Sequence, residues 1–416
     1  MAVTAVDTTR AVEAVFRIES ARIIAGVARI VRDVGIAEEL AQDALVAALE
    51  QWPRSGVPDK PGAWLMATAK HRAIDLVRRK ETYARKLAEV GRTLEDEPPA
   101  SESAELADPE DIDDDLLRLI FTACHPVLAT DARIALTLRL MGGLTTQEIA
   151  RAFLSSEPTV AQRIVRAKRA LAKAAVPFEV PYGADREERL ASVLEVIYLV
   201  FNEGYSATAG DDLVRPALCE DALRLARVLA GLMPKEPEVH GLAALLEFQA
   251  SRIATRTGPA GEPVLLADQN RAKWNRMLIR RGVEALRLAG TGPYSIQAAI
   301  AGAHAAAVRY EDTDWPTIAA LYGRLVRLVP SPVIELNRAV AVSMAEGPRA
   351  ALPLVDALAA EPALRSYHLL PSVRGDLLER LGRPAEARAE FERAASLTHN
   401  AREQALLRER AARLAG

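Results

Sequence analysis

Apolar side chains return at three- and four-residue spacing along nearly the whole chain, and β-branched runs alternating apolar with polar are scarce. That period gathers each apolar set on one face of an α-helix and lacks the two-residue alternation of a half-buried strand. Ala, Leu, Arg and Glu, which lose little side-chain freedom in a helix, dominate the composition. The expected class is all-α, with no strand. At 416 residues and 50% hydrophobic, the chain exceeds one module of roughly 100–200 residues and calls for about two to four domains.

The opening stretch MAVTAVDTTRAVEAVF has no basic run ahead of an apolar core, and no segment approaches the ~18 uninterrupted apolar residues of a membrane span. A cytoplasmic protein without a membrane partner is the expectation. Cys124 and Cys219 lie far apart in apolar surroundings, which suits a reducing compartment and offers no zinc pair. The histidines are dispersed without a metal-binding pattern, and no cofactor is expected.

The net charge of -3 hides a strong local asymmetry. Residues 70–86, KHRAIDLVRRKETYARK, carry seven Lys or Arg against two acids, and residues 151–173 carry six against Glu157 alone. Between them, residues 93–115 hold eleven acids and no base, whereas residues 177–416 are balanced at 29 basic against 30 acidic. Four blocks follow: a helical block over 10–90, an acidic linker over 91–113, a second helical block over 114–175, and a helical extension over 177–416. The extension lacks the footprint of a nucleic-acid surface and suits a protein partner or self-association. Within it, GPRAALPLVDAL and GRPAEARAEFERA align Pro348 with Pro384, Ala351 with Ala387 and Val355 with Phe391. The 36-residue offset is close to the tetratricopeptide period of ~34, with ordinary helix packing as the competing explanation.

The segment TTQEIARAFLSSEPTVAQRIVRAKRAL, residues 145–171, reads as two short helices joined by a tight turn. Thr145 or Thr146 can cap the first, whose apolar face is Ile149, Ala150 and Phe153; Ser156 can cap the second, with Pro158 in its first turn. In the second helix Val160, Ile164 and Ala167 point inward and Thr159, Gln162, Arg163 and Arg166 outward, the division a helix-turn-helix recognition helix needs. Arg and Gln can read base edges, while Lys168, Arg169 and Lys173 would hold phosphates. An amphipathic hairpin packed into a helical core satisfies the same pattern.

The preceding block favours the DNA reading. GIAEELAQDALVAALEQW followed by PRSGVPDKPGAWLMATAKHRAIDLVRRK, together with residues 116–173, resembles regions 2 and 4 of a bacterial RNA polymerase sigma factor, of the sigma-70 family and its extracytoplasmic-function group. The resemblance implies that Glu39, Leu40, Gln42 and Asp43 dock on core polymerase. It further implies that Trp64, Lys70, His71, Arg72, Asp75, Arg78, Arg79 and Lys80 engage and open the -10 element. Thr159, Gln162, Arg163, Arg166, Lys168 and Arg169 would then face the -35 element. VIYLVFNEGYSA, GPYSIQAAIAGAHA, TDWPTIAALYGRL and PSPVIELNRAVAV are similar to the long tetratricopeptide-like extension of one subgroup. His71 stands where an Asn is usual, Leu154 where a turn Gly is common, and Ala161 where Lys or Arg is frequent.

Such a protein is not an enzyme; its partners are core RNA polymerase, promoter DNA and, through the extension, a regulatory protein. Trp64 reads equally as a ring that stacks on an unpaired base and as a buried helix anchor. The basic residues of its helix read as phosphate contacts or as a solvated face. Fully extended, the 23 residues of the acidic segment reach roughly 78 Å, enough for two DNA turns of ~34 Å.

Two other functions compete. A stand-alone helix-turn-helix regulator with a sensing extension would bind its operator without polymerase. A Mg²⁺-dependent all-α enzyme would use the Asp111–Asp115 cluster, although Asp113 and Asp114 read first as caps of the helix that follows. Cys124 and His125 read as a packed helix end. Glu203 and Tyr205 are set aside because Gly204 reads first as a helix C-cap.

Overall fold

The protein is described by a computed structural model covering residues 5–91, 109–153, 155–207, 209–210 and 212–414. It is helical, as the periodicity requires, and divides into two compact units, Met1–Val196 and Ile197–Gly416.

In the first unit α1 (Ala5–Val31), α2 (Val34–Ser55) and α3 (Pro61–Gly91) pack against one another. Helix α2 starts where Asp33 accepts hydrogen bonds from the N–H groups of Gly35 (2.7 Å) and Ile36 (3.0 Å), donors that no helical carbonyl can reach. Its inner face carries Ala37, Ala41, Ala44 and Ala48, all fully buried; short side chains at this spacing let α1 approach closely. Trp52, 1% exposed, meets Trp64 edge-on with ring centroids 5.4 Å apart. Truncating so large a buried ring to Ala costs about 3–5 kcal/mol.

The same unit continues through α4 (Pro109–Ala123), α5 (Thr130–Leu140), α6 (Thr146–Ala152), α7 (Glu157–Lys173) and the first part of α8 (Gly183–Tyr205). Because α4 already begins at Pro109, Asp113 and Asp114 lie inside a helix and do not cap one starting at Leu116. The rest of the acidic linker, residues 92–108, and the turn position Leu154 lie outside the described residues. The α5–α6 turn depends on two glycines. A Cβ on Gly142 would come within 2.5 Å of the Leu138 carbonyl oxygen, and Gly143 adopts φ +67°, left-handed backbone that side-chain-bearing residues disfavour.

The first part of α8 is tied to this group. Ser192 donates to the Cys124 carbonyl (2.6 Å), Arg189 donates to the Phe121 carbonyl (3.2 Å), and Arg133 pairs with Glu195 (3.1 Å). These bonds carry the compact unit past residue 177 to Val196.

The second unit comprises the end of α8 and α9 (Pro216–Leu232), α10 (Pro237–Ala250), α11 (Arg276–Leu286), α12 (Pro293–Ala306), α13 (Trp315–Leu328), α14 (Pro332–Ala345), α15 (Pro348–Leu358), α16 (Leu369–Arg380), α17 (Pro384–Leu397) and α18 (Ala401–Arg413). Neighbouring helices pack over apolar clusters that pass from α10–α12 through α12–α14 to α14–α18. Both helices with the 36-residue offset begin at the aligned prolines, and Ala351, Val355, Ala387 and Phe391 are fully buried in them.

Two details depart from the sequence reading. Two-residue strands, β1 (Ala209–Gly210) and β2 (His399–Asn400), pair in parallel. They have no periodicity to read; the fully buried Asn400 holds them by donating to the carbonyls of Ala207 (3.2 Å) and Asp212 (3.1 Å) while its oxygen caps α18. Gly204 is not a C-cap but lies within α8, where a Cβ would meet the Cys219 backbone nitrogen at 2.8 Å. Its role is to let α8 and α9 cross. No helix among the described residues is long and apolar enough to cross a membrane.

Candidate nucleic-acid interface

Residues 145–173 fold as two helices with a short turn. The Thr145 hydroxyl accepts a hydrogen bond from the Glu148 N–H (3.1 Å), and the Glu148 carboxylate in turn accepts one from the Thr145 N–H (2.7 Å), a capping box that fixes where α6 begins. Ser156 caps α7 by accepting from the Thr159 N–H (3.3 Å), and Pro158 occupies the first turn. Val160, Ile164, Ala167 and Leu171 are buried beneath α7. Thr159, Gln162, Arg166 and Arg169 are exposed on its other side. The Thr159 hydroxyl is engaged with Ser156 (2.7 Å), and Arg163, half-buried, pairs with Asp131 of α5 (3.3 Å). Gln162, Arg166 and Arg169 are therefore the most accessible members of the expected set.

Helix α3 buries Leu65, Ala69 and Ala73 on one face and exposes His71, Asp75, Arg78, Arg79 and Lys80 on the other. Lys70, Arg72 and Trp64 are half-buried. Arg72 reaches the exposed Asp43 on α2 at 3.7 Å, with the Arg72 side chain itself still 39% exposed, and solvated pairs of this kind contribute only about 0–1 kcal/mol. Asp75, Arg78, Arg79, Thr82 and Tyr83 surround an open depression. Tyr83, 69% exposed, was not singled out from the sequence, although it lies four residues after Arg79 on the same charged face. An exposed ring flanked by guanidinium groups is the arrangement on which unpaired bases stack.

The segment expected to dock on polymerase begins beside Glu38. Glu39 and Asp43 are exposed, Leu40 is half-buried, and Gln42 donates to Glu38 (2.8 Å). Glu38 itself is 4% exposed and joins three helices: Arg139 of α5 donates to its Oε1 (2.6 Å), and Lys168 of α7 sits against its Oε2. Lys168, expected on DNA phosphates, is thus held against the start of α2. A groove of about 630 Å³ adjoins this contact, lined by Arg29, Arg32, Asp33 and Lys168 together with Pro177 and Phe178.

The competing catalytic candidates are engaged elsewhere. Asp115 is 1% exposed between Arg29 (3.3 Å) and Arg118 (2.6 Å), so guanidinium groups already neutralise the carboxylate that a magnesium site would need. Among the described residues no acidic, Cys or His cluster has the arrangement of a metal site. Burial pushes the Cys124 thiol up to about 11 despite the Thr137 hydroxyl at 3.2 Å, far from the thiolate a nucleophile requires. Burial and the nearby Arg189 hold His125 below the usual imidazole range. Glu203 is ion-paired with Arg215, and Tyr205 stacks on Phe201 with centroids 5.6 Å apart.

Comparison with known proteins follows the same division. Residues 16–82 match the model of sigma-70 region 2, residues 118–171 that of sigma-70 region 4, and residues 189–290 that of a family of unknown function. Over 386 residues, 91% of this chain and 90% of the relative, the sequence is 48% identical to an uncharacterized protein, R00370, of Rhizobium meliloti (strain 1021). It is 29% identical over 154 residues to the ECF RNA polymerase sigma factor SigK of Mycobacterium ulcerans (strain Agy99), covering 36% of this chain and 78% of that protein. The ECF RNA polymerase sigma factor SigK of Mycobacterium sp. (strain KMS) is also 29% identical, over 147 residues, 34% of this chain and 72% of the relative.

Proposed function

The chain belongs to the sigma-70 family of bacterial RNA polymerase sigma factors, in the extracytoplasmic-function group, and from that premise we propose how its surfaces divide the work of promoter recognition. The family implies core RNA polymerase and promoter DNA as partners. Acting in the cytoplasm, such a protein catalyses no reaction and uses binding energy to direct polymerase and to separate strands.

Residues 10–90 dock on core polymerase through Glu39, Leu40, Gln42 and Asp43 and engage the -10 element through α3. Arg78, Arg79 and Lys80 neutralise phosphates there, and Tyr83 joins Trp64 as a ring on which freed bases stack. Residues 114–175 read the -35 element through α7, with Gln162 and Arg166 at base edges and Arg169 on the backbone. The tether is the linker 91–113; the seventeen residues between α3 and α4 reach about 58 Å fully extended, less than the whole acidic segment but still more than one DNA turn of ~34 Å. Lys168 must leave Glu38 before it can hold a phosphate, so the contact of α7 with α2 belongs to the free protein. The extension, 177–416, carries tetratricopeptide-like helix pairs and modulates these activities through a regulatory partner.

The observation that carries this reading is the exposed polar face of α7, with Gln162, Arg166 and Arg169, in the same chain as the basic face of α3. The test is run-off transcription by purified core polymerase on fragments of the encoding genome, with and without the protein. Discrete start sites that depend on it support the proposal. Operator binding without polymerase and no new transcript would instead identify a stand-alone helix-turn-helix regulator.

A further inference from the structure

The second unit encloses a cavity of about 260 Å³ between the end of α8 and helices α10, α12, α13 and α14. Water takes ~30 Å³ per molecule in the liquid, so the space equals about nine waters. It lies just below the usual range of ligand sites, about 300–1,000 Å³. That is room for a single-ring compound and too little for a nucleotide.

Two features of the wall define what fits. Flat aromatic faces come from Tyr198, Tyr205, Trp274 and Tyr322, and side-chain amides from Gln249 and Asn202 among others. Arg252 is the one cation in the lining, and no lining residue is acidic. Its guanidinium donates to Gln249 Oε1 (2.6 Å) and lies 5.5 Å from the centroid of Tyr205. Among the described residues no carboxylate forms a salt bridge with Arg252, whereas the buried Glu247 nearby on α10 is fully paired with Arg227. A partly buried guanidinium facing aromatic rings without a carboxylate partner favours an anion beside it.

A second, independent observation comes from the polar atoms of the same wall. The Trp274 indole nitrogen, in a residue 4% exposed, has no hydrogen-bond partner; neither does the Tyr205 hydroxyl nor the His304 Nδ1. Folded proteins pair nearly all such buried groups, and three in one cavity call for a partner that the chain does not supply. The Trp274 N–H can only donate. His304 is neutral, because burial, with Arg252 and Arg271 adding to it, pulls its pKa down to about 3. The unpaired atoms and Arg252 together ask for oxygen acceptors attached to a flat body.

We propose that this cavity is a binding site for a small aromatic carboxylate, its ring between the aromatic walls and its carboxylate on Arg252. The site stands independently of the promoter-binding reading. It gives the extension a small-molecule input in addition to any protein partner.

The test uses the full-length protein titrated with benzoate, 4-hydroxybenzoate and nicotinate, followed by calorimetry and tryptophan fluorescence. Benzamide serves as the uncharged isostere and inorganic phosphate as an anion without a ring. We expect saturable binding of at least one of the three carboxylates and none of benzamide or phosphate. Arg252→Gln should weaken that binding about tenfold or more, in line with loss of a charge-assisted hydrogen bond. Because Arg252 also packs on Tyr205, a second variant, Ala301→Leu, fills the cavity without touching the charge; it should abolish binding while circular dichroism stays unchanged. No saturable response to any of the three, equal binding of benzamide or phosphate, or full binding by a folded Ala301→Leu would overturn the proposal.

Discussion

Replacing Glu38 by Gln removes one charge at the junction of α2, α5 and α7 and keeps the side chain's shape. In the native protein that carboxylate meets Arg139 at 2.6 Å, Lys168 and the Gln42 amide at 2.8 Å. Each opposite-charge pair is worth about 4 kcal/mol at 4 Å in a medium of effective dielectric near 20, before desolvation is counted. Removing one partner of a buried pair costs about 3–5 kcal/mol because a charge is left behind. Here the stranded groups keep access to water, with side chains 22% exposed for Arg139 and 21% for Lys168, so rehydration recovers part of that. We expect a loss of ~2–3 kcal/mol, an increase of about 30- to 150-fold in local opening. Hydrogen exchange read by mass spectrometry should show it in peptides from the start of α2 and the last turns of α7, with peptides from α9–α18 unchanged. Unchanged protection in those two segments would refute the claim that Glu38 holds α7 against α2.

Three further outcomes follow from the same physical account. Arg166→Ala should weaken binding to the mapped -35 element by ~1–3 kcal/mol and relax selectivity there, whereas Arg169→Ala should weaken all sequences alike and lower the salt slope by about 1; equal effects on specific and unrelated DNA from both would remove α7 from base reading. His304 is neutral in the fold with a pKa of about 3, while the unfolded chain takes up a proton near pH 6.5. Stability should therefore fall with decreasing pH from about 6.5 toward 3, at ~1.4 kcal/mol per unit from this group, and His304→Gln should flatten urea-derived stability over that window by about one proton; equal slopes would contradict its burial. Burial raises Cys124 to about 11 and Cys219 to about 12, so iodoacetamide at pH 8 should label neither thiol until the chain unfolds, and mass spectrometry of the native protein would expose the error.

What the sequence made legible was local. The helix start at Thr145 or Thr146, the cap at Ser156 and the apolar row Val160, Ile164 and Ala167 are encoded within a few residues of one another; the structure has Thr145 as the first cap, and Glu148 completes a capping box that the sequence reading did not include. The all-α class followed from the same short-range periodicity. Glu38 was not legible, because its partners Arg139 and Lys168 are more than a hundred residues away and nothing local distinguishes it from the exposed Glu39. The Asp111–Asp115 run hid the difference between Asp114, on the surface, and Asp115, buried between two arginines, since helix phase decides it. The cavity around Arg252 is assembled from five helices, so no stretch of sequence shows its lack of a carboxylate. Gly204 was misread because a close helix crossing and a helix end both select glycine.

In the proposed complex the acidic surface of α2 clasps the transcribing enzyme while α3 and α7 hold its promoter. Surface plasmon resonance of the full-length protein over immobilised core polymerase tests it most directly, in parallel with Glu39→Lys and Asp43→Lys. Saturable binding of the native protein, weakened about tenfold or more by either charge reversal, is the predicted result. Absence of any association with core polymerase, or binding indifferent to both reversals, would contradict it.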